Sequence, residues 1–211
     1  MDKMREAAKK RENIYGFISG IFKEELKTGQ IKEMIDTGVL SLVADIGYDI
    51  DLNFFINKPL QQIEEELAVE YTSLFVGPGK HIPPYESIHV SSDSTDRYWG
   101  ECTVDMKNWV EHYGLQISGR FESIPDHISI ELVFMQKVIE HERLAWEKDD
   151  TDTAEKCVEV EKAFFNKHII KWVPGFCEKI IEAARLDLYR EIARLTSDFI
   201  MDEKDLLQIS R

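Results

Sequence analysis

The residues of this chain best suited to chemistry are its histidines and the carboxylates near them. Pro125-Asp126-His127 is followed by Glu131 one helical turn further on. A carboxylate beside an imidazole can orient it for proton transfer, and an acid one turn away on a helix faces the same side. The same residues suit a helix start, where Asp is a favoured cap and its charge complements the helix dipole. Both readings stand on these residues alone. The other histidines are His81, His89, His112, His141 and His168. No two of the six stand at i, i+4, and there is no His-Glu-x-x-His, so the usual spacing of catalytic metal sites is missing. No Gly-x-Ser-x-Gly elbow is present. Gly77-Pro78-Gly79-Lys80 lacks the full phosphate-loop pattern, and its proline removes an N–H that a phosphate cradle needs. If the chain is an enzyme, Asp126, His127 and Glu131 are its candidates for acid–base or metal-dependent hydrolysis.

A second group of residues suits binding. Tyr71-x-x-Leu74-Phe75-x-Gly77-Pro78 is followed by Pro83-Pro84-Tyr85-Glu86-Ser87. Prolines hold a chain extended at little entropic cost on association. Tyr71, Phe75 and Tyr85 offer flat apolar area, the two tyrosines with polar tips, as interfaces often do. Leu74 and Phe75 equally suit a core, Leu74 lying on a buried helical face.

The elements that position these groups are helices. Asp2–Lys27 carries Ile14, Phe17, Ile18, Ile21 and Phe22 at helical spacing, with Gly29 just beyond its end. Ile31–Ile46 reads as a second helix ending at Gly47. Pro59 opens a third, with Leu60, Ile63, Leu67, Tyr71 and Leu74 on one face. Gly77–Asp96 is the one long stretch without periodicity and reads as a functional loop at about 76–95. Ser94–Tyr113 reads as helix closed by Gly114. Ser123-Ile124-Pro125-Asp126 resembles a capped helix start, leading to the stripe Ile128, Leu132, Met135 and Ile139. Asp152–Lys171 is helical and stops or kinks at Pro174. Phe176, Ile180, Ala184, Leu188, Ile192, Leu195 and Phe199 mark a last long helix or helix pair. The expected architecture is all-α, one domain over 1–211, a bundle of about nine to eleven helices.

Composition narrows the function classes. The chain has 211 residues and is 43% hydrophobic, enough for a substantial core. Its 40 acidic and 26 basic side chains give a formal net charge of −14. That field repels nucleic acid and anionic membranes. It suits cationic partners, or serves solubility alone. Cys102, Cys157 and Cys177 are sparse and odd in number, which argues against disulfides and Cys-rich zinc sites. No apolar run is long enough to span a membrane, and charged Met1–Glu12 is unlike a signal peptide, so the expected location is cytoplasmic.

Taken together, these motifs resemble the TorD/DmsD chaperones. The resemblance rests on Tyr71-x-x-Leu74-Phe75-x-Gly77-Pro78, Pro83-Pro84-Tyr85-Glu86-Ser87, Tyr113-Gly114-Leu115 and Pro125-Asp126-His127-Ile128-x-x-Glu131-Leu132. The tail Phe164-x-x-x-His168-x-x-x-Trp172-x-Pro174-x-Phe176 completes the set, in the family's order from about Leu60 to Phe199. The resemblance implies a non-catalytic, all-helical chaperone without a cofactor of its own. Its partners would be the catalytic subunit of a molybdopterin oxidoreductase and that subunit's twin-arginine leader. The leader-binding residues it implies are Tyr71, Leu74, Phe75, Pro84, Tyr85, Asp126 and His127. Glu86 joins them as a further carboxylate for the arginines. Some relatives carry tryptophan where this chain has Tyr71 and Tyr85. Family members include weak binders of guanine nucleotides and both monomers and homodimers that exchange helices.

Overall fold

The computed structural model describes residues 2–90, 100–116 and 124–209. It is all-α, with eleven α-helices and two π-helical turns among the described residues. The expected helix start at Ser94 and the expected cap Ser123 lie outside the described residues. The chain folds into two compact units, each assembled from segments distant in sequence.

The first unit contains the described residues of 1–23, 84–173 and 200–211. Helix α1 (Asp2–Lys23) packs along α8 (Ile128–Glu147), and α8 packs on α9 (Thr151–Phe164). Ile18, Ile21 and Phe22 are buried, as are Leu132, Met135 and Ile139. Burying side chains of this size contributes roughly 1.5–3 kcal/mol each. Two shorter helices, α6 (Glu86–Val90) and α7 (Glu101–His112), pack on each other. Helix α6 lies inside the stretch expected to be a loop. It is too short for its period to stand out from the prolines before it.

The second unit contains residues 24–83 and 174–199. The expected second helix is two: α2 (Thr28–Asp36) and α3 (Val39–Asp45). Gly38 separates them at φ +70, a left-handed conformation that glycine adopts without strain. The short α4 (Leu52–Ile56) precedes α5 (Leu60–Tyr71). Pro59 stands at the cap of α5, one position earlier than expected. Thr72–Val76 then continues as a π-turn. Helix α10 (Val173–Ala183) has Pro174 in its first turn, where proline costs no hydrogen bond. Helix α11 (Asp187–Ile209) gives its early residues to this unit and its last turns to the first.

Acidic side chains from elsewhere in the chain cap the starts of two helices. Glu64 of α5 accepts from the Thr28 N–H at 2.7 Å and from the Thr28 hydroxyl. Glu70 accepts from the backbone N–H of Arg185 and Leu186, just ahead of α11. A carboxylate at a helix N-terminus satisfies orphan donors and complements the dipole. Part of the acidic excess is therefore structural.

The core of the first unit holds a charge cluster that no motif announced. Arg11 of α1 donates to Glu203 through Nε at 2.7 Å and Nη2 at 2.8 Å, to Glu161 at 2.6 Å and to Glu142 at 3.2 Å. Tyr15 donates to Glu203 at 3.2 Å and the Trp146 indole to Glu142 at 2.8 Å. One cation thus faces three buried carboxyl groups. Burial above all, opposed by Arg11 and reinforced by the Glu142 charge, pushes the Glu161 carboxyl up to about 8. Glu161 is therefore protonated in the folded chain across a range where it ionises in the unfolded one. The proton stabilises the fold fully below about pH 4.5, and that contribution is lost as pH rises toward 8. We expect the thermal midpoint to fall between pH 5.5 and 8.5, by the equivalent of up to roughly 4 kcal/mol. Glu161→Gln, which mimics the neutral acid, should flatten that slope in calorimetric scans across the same pH series.

Candidate functional site

The two sequence segments singled out for chemistry meet in the first unit. Pro84-Tyr85-Glu86 lies antiparallel to Asp126-His127-Ile128, with Tyr85 and His127 as the bridged pair. The Glu86 N–H donates to the Asp126 carbonyl at 2.9 Å, and the Ile128 N–H donates to the Pro84 carbonyl at 2.9 Å. Proline, lacking a donor, sits where only its carbonyl is used. The Tyr85 ring meets the His127 imidazole edge-on at 5.0 Å.

Asp126 is fully buried and anchors this junction. Its Oδ2 accepts the Ser87 N–H at 2.9 Å, in the first turn of α6, and its Oδ1 accepts the Thr103 hydroxyl of α7 at 3.1 Å. His127, rather than the expected serine, caps α8: its Nδ1 accepts the Ser129 N–H at 3.1 Å. The backbone N–H makes Nδ1 an acceptor, and the Ser129 hydroxyl also lies 2.8 Å from it. The helix start at Asp126-His127 is thus present, but the cap is His127 and not Asp126, and its ring is 2% exposed. Asp126 and His127 therefore have structural work, and Glu131 pairs elsewhere.

Glu131 of α8 belongs to a second buried group in the same unit. Its Oε2 accepts the Trp172 indole N–H at 3.0 Å, while its Oε1 has no hydrogen-bond partner. Burial first, then the charge of Glu86, holds its carboxyl well above the usual range. Glu86 lies 2.7 Å from Nδ1 of His168, and Nε2 of His168 lies 2.8 Å from Asp105. Lys167 also pairs with Asp105, at 2.6 Å. His168 sits in the π-turn Phe165–Ile169, its ring stacked on Phe164 at 4.9 Å. The sequence offered His168 and Trp172 only as parts of a tail motif. Their partners are distant in sequence, and nothing local marks them.

Tyr71, Leu74 and Phe75 fall in the second unit. Expected among the leader-binding residues, each is buried, 3%, 4% and 4% exposed. Tyr71 meets Phe75 at 4.9 Å and Tyr189 at 6.3 Å, and Phe75 lies 6.0 Å from Phe176. The reason is registry. Tyr71 continues the stripe of Ile63 and Leu67, and the π-turn keeps Leu74 and Phe75 on the inner side. Pro84, Glu86, Asp126 and His127 are buried too, whereas Tyr85 is half-exposed.

An all-helical fold with this proline-led junction defines a class of protein rather than a reaction. The family model described as nitrate reductase delta subunit matches residues 41–178, and the chain belongs to that TorD-like family. It is similar to the chaperone protein TorD of Vibrio vulnificus, 24% identical over 98% of this chain and 99% of that one. The TorD chaperone of Aliivibrio fischeri is 22% identical, covering 95% of each. In fold it is similar to a protein of Archaeoglobus fulgidus whose crystal structure is described as a putative redox enzyme maturation protein. The TM-score there is 0.57 at 21% identity, covering 90% of this chain and 93% of that one.

Proposed function

We propose that this protein is a cytoplasmic chaperone for the catalytic subunit of a molybdenum- or tungsten-dependent oxidoreductase. It binds the subunit's twin-arginine leader, its apo form, or both, and holds the subunit until the cofactor is inserted, before export. The observation that carries this reading is the family membership, supported by relatives named as chaperones along nearly the whole chain. No helix among the described residues is long and apolar enough to cross a membrane, which fits a partner that meets its client off the membrane.

The proposed contact is Tyr85, the half-exposed aromatic of the junction, with Pro84, Glu86, Asp126 and His127 fixing its position. Tyr71, Leu74 and Phe75 serve the packing of their own unit. Asp126 and Glu86 already hold internal partners, so attraction for the two arginines comes from the net charge of −14. An aromatic anchor on a rigid frame loses little entropy on binding. Tyr85→Ala should weaken a synthetic twin-arginine leader about tenfold, or about 1.4 kcal/mol, with an unchanged thermal melt. Calorimetry decides this: equal affinity in wild type and variant removes Tyr85 from the contact, and no binding to either removes the leader.

A further inference from the structure

We propose that Glu86, Glu131 and His168 form a buried binding site for one divalent transition-metal ion of the zinc class. Each offers one donor atom, and these atoms all lie within 4.8 Å of one another. The residues are 1%, 0% and 1% exposed. They come from α6, α8 and the π-turn after α9, so an ion here would tie three elements of one unit together.

Two independent features point to a ligand. The first is Glu131 Oε1, a buried carboxylate oxygen with no hydrogen-bond partner, although its twin Oε2 is engaged by Trp172. A buried acceptor left unmatched is costly, and a cation bound here would match it. The second is the support behind each ligand. Asp105 accepts from His168 Nε2 at 2.8 Å, which fixes the ring and directs Nδ1 toward Glu86. Metal-binding histidines are commonly held by a carboxylate in this way. Lys167 pairs with Asp105 at 2.6 Å, so Asp105 is balanced without drawing on the site. Trp172 likewise orients Glu131.

Charge and size agree. With both carboxyl groups ionised and the imidazole neutral, as metal ligands must be, the three sum to −2, which one dication cancels. Donors around a tetrahedral zinc ion at about 2 Å stand roughly 3.3 Å apart. To reach that spacing the Glu86–His168 pair, now at 2.7 Å, would open and the wider separations, at most 4.8 Å, would close, with water in the fourth position. A mixed nitrogen–oxygen set of three suits zinc more than calcium or magnesium, which favour all-oxygen shells. The site does not depend on the chaperone reading.

The test uses the full chain, dialysed against EDTA and then titrated with Zn²⁺ alone. One equivalent should bind and survive gel filtration. Glu131→Gln and His168→Gln should each weaken it at least tenfold, and Asp105→Asn by a similar factor through the unsupported ring. X-ray absorption at the zinc edge of the wild-type protein should show one imidazole nitrogen with oxygens, and this stands even where a variant fails to fold. Zinc that does not bind, that binds equally to both ligand variants, or that lacks imidazole in its shell overturns the proposal.

Discussion

Arg11→Met should lower the thermal midpoint by on the order of 10 °C, the largest single effect expected in this protein. Arg11 is 8% exposed and is the cation that all three carboxyl groups of its cluster share. Removing one side of a buried ion network strands the other and costs about 3–5 kcal/mol. In a domain of this size each kcal/mol is worth roughly 2–4 °C. Protonation can relieve the stranded groups, so the loss should be smaller at pH 5 than at pH 8. Glu161→Gln combined with Glu142→Gln in the Arg11→Met background should recover part of it. Differential scanning calorimetry at both pH values checks all of this. A loss under about 1 kcal/mol, the same at both, would show that Arg11 only fills space.

Asp126→Ala should be nearly as severe, at about 3–5 kcal/mol. It removes the acceptor for the Ser87 N–H and the Thr103 hydroxyl, both in residues 2% exposed or less. Each buried donor left unpaired costs about 1–3 kcal/mol, and bonds to a charged acceptor lie at the upper end. Asp126→Asn keeps an oxygen for Ser87 and an amide that can donate to the Thr103 oxygen, so it should lose only about 1–2 kcal/mol. Urea unfolding of the two variants separates them, and equal losses would mean the acceptors are not what matters. The consequence reaches function. Loss of leader binding in Asp126→Ala would report a collapsed junction, whereas Tyr85→Ala, on a half-exposed ring, reports contact. Asp126 is poorly placed to meet an arginine, because its oxygens are already committed.

The amino-acid sequence by itself determined the helices and the motifs. The stripe Ile63, Leu67, Tyr71 repeats at the helical period, and glycines at 47 and 114 stand beyond helix ends at φ +109 and +64. These signals are local, so periodicity and turn chemistry reveal them. The all-α class and the family followed. The split at Gly38 was less visible, because a glycine within a periodic run is compatible with either one helix or two.

Only the tertiary structure decided what each motif does. It paired Pro84–Glu86 with Asp126–Ile128, made His127 the cap of α8, and buried Tyr71, Leu74 and Phe75. It also gathered Arg11 with Glu142, Glu161 and Glu203, and His168 with Glu86 and Asp105. The physical reason is the same in each case. A charge or an acceptor is indifferent to its sequence neighbours when its partner comes from another helix.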